Sequence, residues 1–304
     1  MSTRVDYAAV MDVGGTSLAS AIVDNSGFVL PDSLNHCEID STGPAEIIVT
    51  TFAAILDSAL SFARLNNLDI LGIGISICGP LNYKEGISRI RGLNKYEAIY
   101  GVNIQKELRE RLNLHVNIPM IFDPDAASFA RGEAWCGAAR DYRRTIVLTL
   151  GTGLGSAFIV DGEVVEKGPG VPRLGWVAGQ PYRDGLVDHY TSNSHIMKLY
   201  RERRGESLEV VDIANKAFAG DNTARGVFRE VATIIGNVLL ERHIIPFGAE
   251  SIILGGQIAK SYELYLSGLS DTLHSVPSLK AIKQAADIDH SALKGVGKIF
   301  FDRR

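Results

Sequence analysis

Two glycine-rich stretches, Asp12-Val13-Gly14-Gly15-Thr16 and Leu150-Gly151-Thr152-Gly153-Leu154-Gly155-Ser156, carry the residue types that hold phosphate. Glycine lets backbone N–H groups approach an oxyanion with no Cβ in the way, and threonine adds a hydroxyl donor. Tyr7–Met11 and Ala19–Val23 flank the first stretch, and Thr145–Thr149 and Ala157–Val160 flank the second. Apolar run, glycine turn, apolar run predicts a hairpin in both places. A single such hairpin is commonly only a tight turn. Two of matching form, one early and one mid-chain, predict two grips on the phosphates of one nucleotide, and hence phosphoryl transfer. Neither is G-x-x-x-x-G-K-[ST], and neither is G-x-G-x-x-G leading into a helix, which excludes a P-loop and argues against a Rossmann site.

Phosphoryl transfer also needs a carboxylate to order a divalent cation and a base to take the acceptor's proton. Asp12 closes the first strand beside its hairpin and suits the metal role; the alternative is a turn-initiating Asp. For the base, Phe122-Asp123-Pro124-Asp125-Ala126-Ala127-Ser128 offers two carboxylates. Asp125 stands where a strand gives way to a helix. An N-capping position there would keep it ionised, as a base must be. Asp123 is its rival, and spacing alone does not separate them. No G-x-S-x-G motif is present to support a serine hydrolase.

The elements that must position these residues alternate between strand-like and helix-like, the pattern of an α/β protein. Tyr7–Met11, Ala19–Val23 and Phe28–Leu30 read as an antiparallel start. Pro44 opens a helix carrying Ile48, Phe52, Ile55, Ala59 and Phe62 at helical spacing. Ile70–Ile77 is a buried strand ending at Cys78-Gly79-Pro80, Ile104–Leu112 an amphipathic helix, and Asn117–Phe122 a strand before a helix over 126–135. From Thr145 the theme repeats, with a long apolar helix at Val227–Ile245 and a buried strand at Ser251–Leu254 ending in Gly255-Gly256. The repeat predicts a duplicated α/β unit with a cleft between its halves. The expected division is 1–118, completed by a C-terminal helix over 290–304, and 119–289, with a hinge near Pro119.

The 304 residues suffice for two domains, and a 46% hydrophobic, 22% charged composition suits a full core. A net charge of −4 leaves no nucleic-acid footprint, and no apolar run reaches the length of a membrane span. The start of the chain shows no signal segment, so a cytoplasmic setting is expected. Cys37, Cys78 and Cys136 form no C-x-x-C pair, and Cys78 and Cys136 are expected to be buried. His189 and His195 are expected on surface or helix faces rather than as ligands.

On these residues the chain resembles the ROK family of sugar kinases, within the actin-like and hexokinase-like ATPases. Asp12–Thr16 is similar to that superfamily's first phosphate motif, Leu150–Ser156 to its second, and Ser251–Ile258 to its adenosine-side segment. Pro124-Asp125-Ala126-Ala127, followed by Gly132-Glu133-Ala134-Trp135 and Gly137-Ala138-Ala139, lines up with the family stretch N-D-A-N…G-E…G-A. That resemblance gives Asp125 the catalytic role, and Gly79-Pro80 resembles the family's sugar-side P-G-P turn. It implies duplicated ribonuclease H-like domains, with ATP bound through Asp12, Gly14, Gly15, Thr16, Gly151, Thr152, Gly153, Gly255 and Gly256. Asp12 would order Mg²⁺ through water.

The departures fall on the sugar side. Pro124 replaces an Asn, Arg173 and Trp176 stand where the family's E-x-G-H has Glu and His, and the C-x-C-G-x-x-G-C zinc loop gives way to Gln180–Gly185. No zinc site is therefore expected. Gly79, Asp125, Arg173, Trp176 and Asp188 are the substrate-side candidates, Asp188 standing in for the acidic residue after that loop. The missing helix-turn-helix segment before Tyr7 makes the family's repressors a poor match. The expected protein is an ATP-dependent kinase for a small sugar or polyol, a homodimer like its relatives, with a catalytically weak ligand-binding sensor as the alternative.

Overall fold

Nearly continuous buried apolar runs set the first sheet, and the structure, a computed structural model, describes residues 5–303. The first unit runs β1 (Tyr7–Val13), β2 (Ser17–Asp24), β3 (Asn35–Glu38), α1 (Ala45–Leu65) and β4 (Ile70–Ile77). A short ribbon of β5 (Leu81–Asn82) and β6 (Ile87–Ser88) follows, then α2 (Ile104–Arg111), β7 (Met120–Pro124) and α3 (Asp125–Cys136). The sheet order is β3-β2-β1-β4-β7, with β1–β3 antiparallel and β4 and β7 parallel to β1. From Gly72 to Ile77 β4 is buried without a break, as a parallel strand covered on both faces must be. Helix α1 covers one face through Ile48, Phe52, Ile55, Leu56 and Ala59. The C-terminal helix, Ser291–Phe301, covers the other, packing Leu293, Val296 and Phe300 on Ala8, Val10, Ala21 and Val23.

The second unit repeats the plan. Its elements are β8 (Arg144–Leu150), β9 (Leu154–Val160), β10 (Glu163–Val165), the ribbon β11 (Pro181–Tyr182) and β12 (Gly185–Leu186), α4 (Asn193–Arg204), α5 (Val210–Phe218) and α6 (Asn222–Leu239). After them come α7 (Ile245–Phe247), β13 (Ser251–Gly255), α8 (Tyr262–Leu273) and β14 (Ala281–Gln284). The sheet order β10-β9-β8-β13-β14 has the same sense as the first: three antiparallel strands, then two parallel additions. Each glycine stretch forms the turn of the first hairpin in its sheet.

Four details depart from the sequence reading. The division expected at Pro119 falls after Cys136, because β7 pairs with β4 and α3 packs along the C-terminal helix. Residues through Cys136 with those from His290 form one unit, and Gly137–Asp289 the other. The third strand is Asn35–Glu38; at Phe28–Leu30 only an isolated Val23–Val29 bridge forms. The long apolar helix begins earlier, at Asn222, where the Asp221 carboxylate accepts the Thr223 and Ala224 N–H groups, and it loosens into a π turn over Leu240–Ile244. Cys136 is only half-buried, its thiol facing the Ser26 carbonyl. In addition, the 21-residue α1 is long and apolar enough to cross a membrane by length and composition, contrary to the expectation of no such run. Its apolar face lies on the sheet.

Where α3 crosses the C-terminal helix, two glycines face backbone. A Cβ on Gly132 would lie 2.0 Å from the Ser291 carbonyl oxygen, and one on Gly295 1.7 Å from that of Ser128. The Ser291 hydroxyl donates to the buried Glu133 carboxylate at 2.6 Å beside this crossing. Gly295→Ala should therefore lower stability by roughly 1–3 kcal/mol despite alanine's better helix propensity. Urea unfolding measures it, and an unchanged or higher midpoint would contradict the close crossing.

Candidate active site

Parallel strands in fixed register bring distant residues into rows. Asp12 on β1 is level with Ser76 on β4, and Ser76 with Asp123 on β7; Val13, Ile77 and Pro124 form the next row. The residues that leave the sheet one step later are Gly14, Cys78 and Asp125. Ligands of α/β sheets bind at this carboxyl edge of parallel strands. Gly14, Asp12 and Asp125, named from sequence, thus meet at one edge, while Ser76 and Cys78 join them through the register.

The two carboxylates around Pro124 are held differently. Asp123 is buried, accepting the Ser128 hydroxyl at 2.8 Å and facing Arg131 Nε at 3.4 Å. Asp125 is half-buried at the first position of α3, and its Oδ1 accepts the neighbouring Ala126 N–H at 2.9 Å. Asp12 accepts the Ser76 hydroxyl at 2.6 Å. Burial, with repulsion from Asp125 adding to it, pushes the Asp12 pKa up to about 6 against the hydrogen bonds from Ser76 and the Val13 backbone. Those partners are uncharged. Two carboxylates that repel each other at a desolvated edge fit a divalent cation, and Asp12 is the residue that would hold it. Among the described residues no group of three or more His, Cys, Asp and Glu converges as a protein-only metal site.

The first hairpin is tight at Gly14, whose N–H donates to the Ser17 carbonyl at 3.0 Å; a Cβ there would sit 2.8 Å from that oxygen. Gly15 is half-buried and Thr16 exposed. The buried Tyr96 donates its hydroxyl to the Gly14 carbonyl, while its own N–H bonds the Ser41 carbonyl at 2.6 Å and its ring lies 5.7 Å from that of Phe52. Nothing in the sequence marks Tyr96, because its role comes from a loop that folds back over β1. Gly79-Pro80 follows Cys78 with a cis bond. A Cβ on Gly79 would meet the Tyr83 hydroxyl at 2.7 Å, and that hydroxyl donates to the Ile77 carbonyl at 3.3 Å. Burial first, and then Asp125, raise the Tyr83 pKa, so the phenol stays protonated.

In the second unit, Gly151 N–H donates to the Gly153 carbonyl at 3.2 Å, and Thr152 at the turn is exposed. The Asp188 carboxylate accepts the Leu154 N–H at 2.7 Å, and a Cβ on Gly153 would meet that oxygen at 2.9 Å. Asp188, expected on the sugar side, thus braces the second glycine hairpin through one of its oxygens. Gly256 has φ +80° and approaches the Leu150 carbonyl so closely that a Cβ would lie 2.4 Å from it, while Gly255 is buried at the end of β13. The Gly255-Gly256 turn and the second hairpin therefore meet through backbone. Arg173 and Trp176 are exposed on a turn tied to β9 by Ser156, whose hydroxyl donates to the Gly175 carbonyl at 2.6 Å and accepts the Val177 N–H at 2.9 Å. The Trp176 ring folds back over Gly179.

The loop that replaces the zinc motif is held by side chains. The Arg183 guanidinium lies 5.1 and 5.2 Å from the Tyr182 and Tyr190 rings, and the Tyr190 hydroxyl donates to Asp184. His195 is buried against the edge of Tyr190, and burial lowers its pKa; His189 Nδ1 accepts the Leu186 N–H at 3.4 Å.

Two matched α/β units, each opening on a glycine hairpin, define the duplicated ribonuclease H-like fold of the actin- and hexokinase-like ATPases. Residues 8–302 match the ROK family, and the chain belongs to it. It is 28% identical over 259 residues to an N-acetyl-D-glucosamine kinase of Mannheimia succiniciproducens, covering 76% of this chain and 81% of the relative. A glucokinase of Halalkalibacterium halodurans is 26% identical, with 90% and 83% covered. A ROK family glucokinase from Streptomyces griseus, solved with glucose and AMPPNP, shares the fold with a TM-score of 0.77 at 21% identity, covering 96% of this chain and 98% of that one.

The Asp12 environment has a consequence for stability. A folded-state pKa of about 6 against an ordinary 3.8 means the native chain retains a proton that the unfolded chain has lost between those values. Stability contributed at this site is therefore present at low pH and falls as pH rises through that window. Asp12→Asn should be more stable than the parent at pH 7, by on the order of 1–3 kcal/mol, with the difference shrinking toward pH 4. Urea unfolding of both proteins at the two pH values checks this. An equal difference at both, or a less stable variant at pH 7, would contradict it.

Proposed function

We propose that this chain is an ATP- and Mg²⁺-dependent carbohydrate kinase, in which Asp125 accepts the proton of the attacking hydroxyl. The observation that carries the reading is the row of strand exits, which places a phosphate-type hairpin and a half-buried carboxylate at one sheet edge. Kinase relatives acting on glucose and N-acetylglucosamine support the reaction class.

Each residue then has a task. The N–H groups of the Gly14–Gly15 and Gly151–Gly153 turns and the hydroxyls of Thr16 and Thr152 bind ATP phosphates, and Gly255 and Gly256 border the adenosine. Asp12 is the residue that would hold a magnesium ion, through water, and the ion would supply neutralising charge to the phosphates. Asp125 stands at the N-terminus of α3, at the edge where β4 and β7 end, and is the group that takes the hydroxyl proton. Asp123, held by Ser128 and Arg131, fixes the strand-to-helix junction that aims Asp125. Tyr83 stays protonated beneath the Gly79-Pro80 turn and shapes the acceptor's surroundings.

On the acceptor, a small sugar or sugar-like polyol, recognition involves Gly79, Arg173 and Trp176. A guanidinium is a planar fork suited to carboxylate or phosphate and accepts no hydrogen bond, while the half-exposed indole offers a face for stacking. An acidic or otherwise modified sugar, or a cyclic polyol, is therefore a better acceptor than glucose. The same substitutions favour a second reading, a catalytically weak ligand-binding sensor; the intact Asp125 and both hairpins weigh against it.

Asp125→Asn should lower kcat by roughly 10²–10⁴-fold with ATP binding retained. Asp123→Asn should lower the melting temperature and leave most of the turnover. Steady-state kinetics beside thermal unfolding separates the two; near-parent turnover in Asp125→Asn removes the assignment. With the best acceptor, Arg173→Ala should raise KM several-fold at similar kcat. An unchanged KM, together with efficient glucose phosphorylation by the parent, would show that Arg173 takes no part.

A further inference from the structure

The second glycine hairpin is gripped from outside its own sheet. Leu150 and Leu154 form the last pair of the β8–β9 ladder, and the turn Gly151-Thr152-Gly153 projects beyond it. One short segment, 187–193, holds both ends of that turn. The Asp188 carboxylate accepts the Leu154 N–H at 2.7 Å. The Asn193 N–H, at the first position of α4, donates to the Gly151 carbonyl at 3.2 Å. Both carboxylate oxygens also crowd Gly153, since a Cβ there would meet one at 2.9 Å and the other at 3.3 Å.

The segment can hold the turn because it is itself held. The Asp188 N–H donates to the Ala178 carbonyl at 3.1 Å, and the Val187 N–H to the Gln180 carbonyl at 2.9 Å. The Asp188 carbonyl accepts the Ser192 N–H at 3.2 Å, and the Thr191 hydroxyl donates to the Val187 carbonyl at 3.0 Å. Val187, Thr191 and Ser192 are all buried. The ribbon β11–β12, which stands in place of the zinc loop, is anchored at its root. There the Arg242 guanidinium donates to the Pro181 carbonyl at 2.9 Å. The His243 ring bridges the Gly170 carbonyl, 2.6 Å from Nδ1, and the Gln180 side-chain oxygen, 3.0 Å from Nε2. From this anchored ribbon the chain runs directly into Asp188.

We propose that segment 187–193 is a clamp on the nucleotide-binding turn, and that Asp188 is a positioning residue for ATP, not a contact of the acceptor. The inference deepens the kinase reading above and rests on it, since there the Gly151–Gly153 turn binds ATP phosphates. Its N–H groups and the Thr152 hydroxyl converge on a phosphate only while the turn keeps one conformation. A turn with two glycines loses much backbone freedom in keeping it. The Asp188 oxygen and the Asn193 N–H impose that conformation before the nucleotide arrives, which lowers the ordering cost of binding. A backbone N–H held by a carboxylate is a charge-assisted bond, stronger than its neutral counterpart. An acceptor-reading residue would direct its carboxylate to a sugar hydroxyl, whereas Asp188 has an oxygen committed to Leu154.

The test measures ATP affinity by calorimetry without acceptor, beside steady-state kinetics and thermal unfolding, for the full-length parent, Asp188→Ala, Asp188→Asn and Asn193→Pro. Asp188→Ala should weaken ATP binding and raise KM for ATP by about tenfold, with KM for the acceptor unchanged. Asp188→Asn retains an oxygen for the Leu154 N–H and should recover most of that affinity. Proline suits the first helical position, and Ser192 before it already has extended backbone (φ −80°, ψ 166°). Asn193→Pro therefore removes the other strut while α4 persists, and it too should weaken ATP binding. Parent-level ATP affinity in either folded variant, Asp188→Ala or Asn193→Pro, overturns the proposal. Where Asp188→Ala does not fold, Asn193→Pro alone decides. A rise in acceptor KM with ATP affinity intact, in either Asp188 variant, returns Asp188 to the acceptor side and also overturns it. A parent that binds ATP but phosphorylates no acceptor fails the kinase reading, while calorimetry still decides the clamp. A parent that binds no ATP fails both.

Discussion

The parallel register of β1, β4 and β7 is the constraint from which the first unit's chemistry follows. Pairing of Val13 with Ile77 and of Ile77 with Pro124 decides that Gly14, Cys78 and Asp125 leave the sheet side by side, though more than a hundred residues separate the first from the last. A one-residue slip of β7 would send each of its side chains to the opposite face and move Asp125 out of the row. Buried apolar runs on both faces of the sheet make such a slip costly. The close glycine crossing of α3 with the C-terminal helix fixes the direction in which α3 leaves that edge.

Asp12 and Asp125 repel each other in a desolvated setting, and the nearest partners of Asp12 are a hydroxyl and a backbone N–H. In the second unit the carboxylate of Asp188 is turned to a different use, holding the N–H of Leu154 and with it the shape of the glycine turn. Asp123 and Asp188 thus hold the scaffold, while Asp12 and Asp125 share the sheet edge.

What the sequence made legible is what depends on local residue type. Glycine turns between apolar runs marked both hairpins, and an aspartate at each strand end marked Asp12 and Asp125, because those needs are met by neighbours in the chain. The choice between Asp123 and Asp125 was open to spacing. The fold separates their surroundings by pairing one with Ser128 and Arg131 and leaving the other half-exposed. Ser76 and Tyr96 reach that edge through strand register and a returning loop, which no local pattern encodes. The boundary was read too early for the same reason: β7 looks like the start of a new half, but its partner is β4. The bracing role of Asp188 was likewise hidden, since it depends on Leu154 lying 34 residues earlier.

The measurement that bears most directly on the account is phosphorus NMR of the purified chain with ATP, magnesium and, in turn, neutral hexoses, amino sugars, sugar acids and polyols. The account predicts that one class of acceptor consumes the γ-phosphate signal. A single new phosphomonoester should then grow in step with ADP. Unchanged ATP with every acceptor, or release of inorganic phosphate alone, would contradict it.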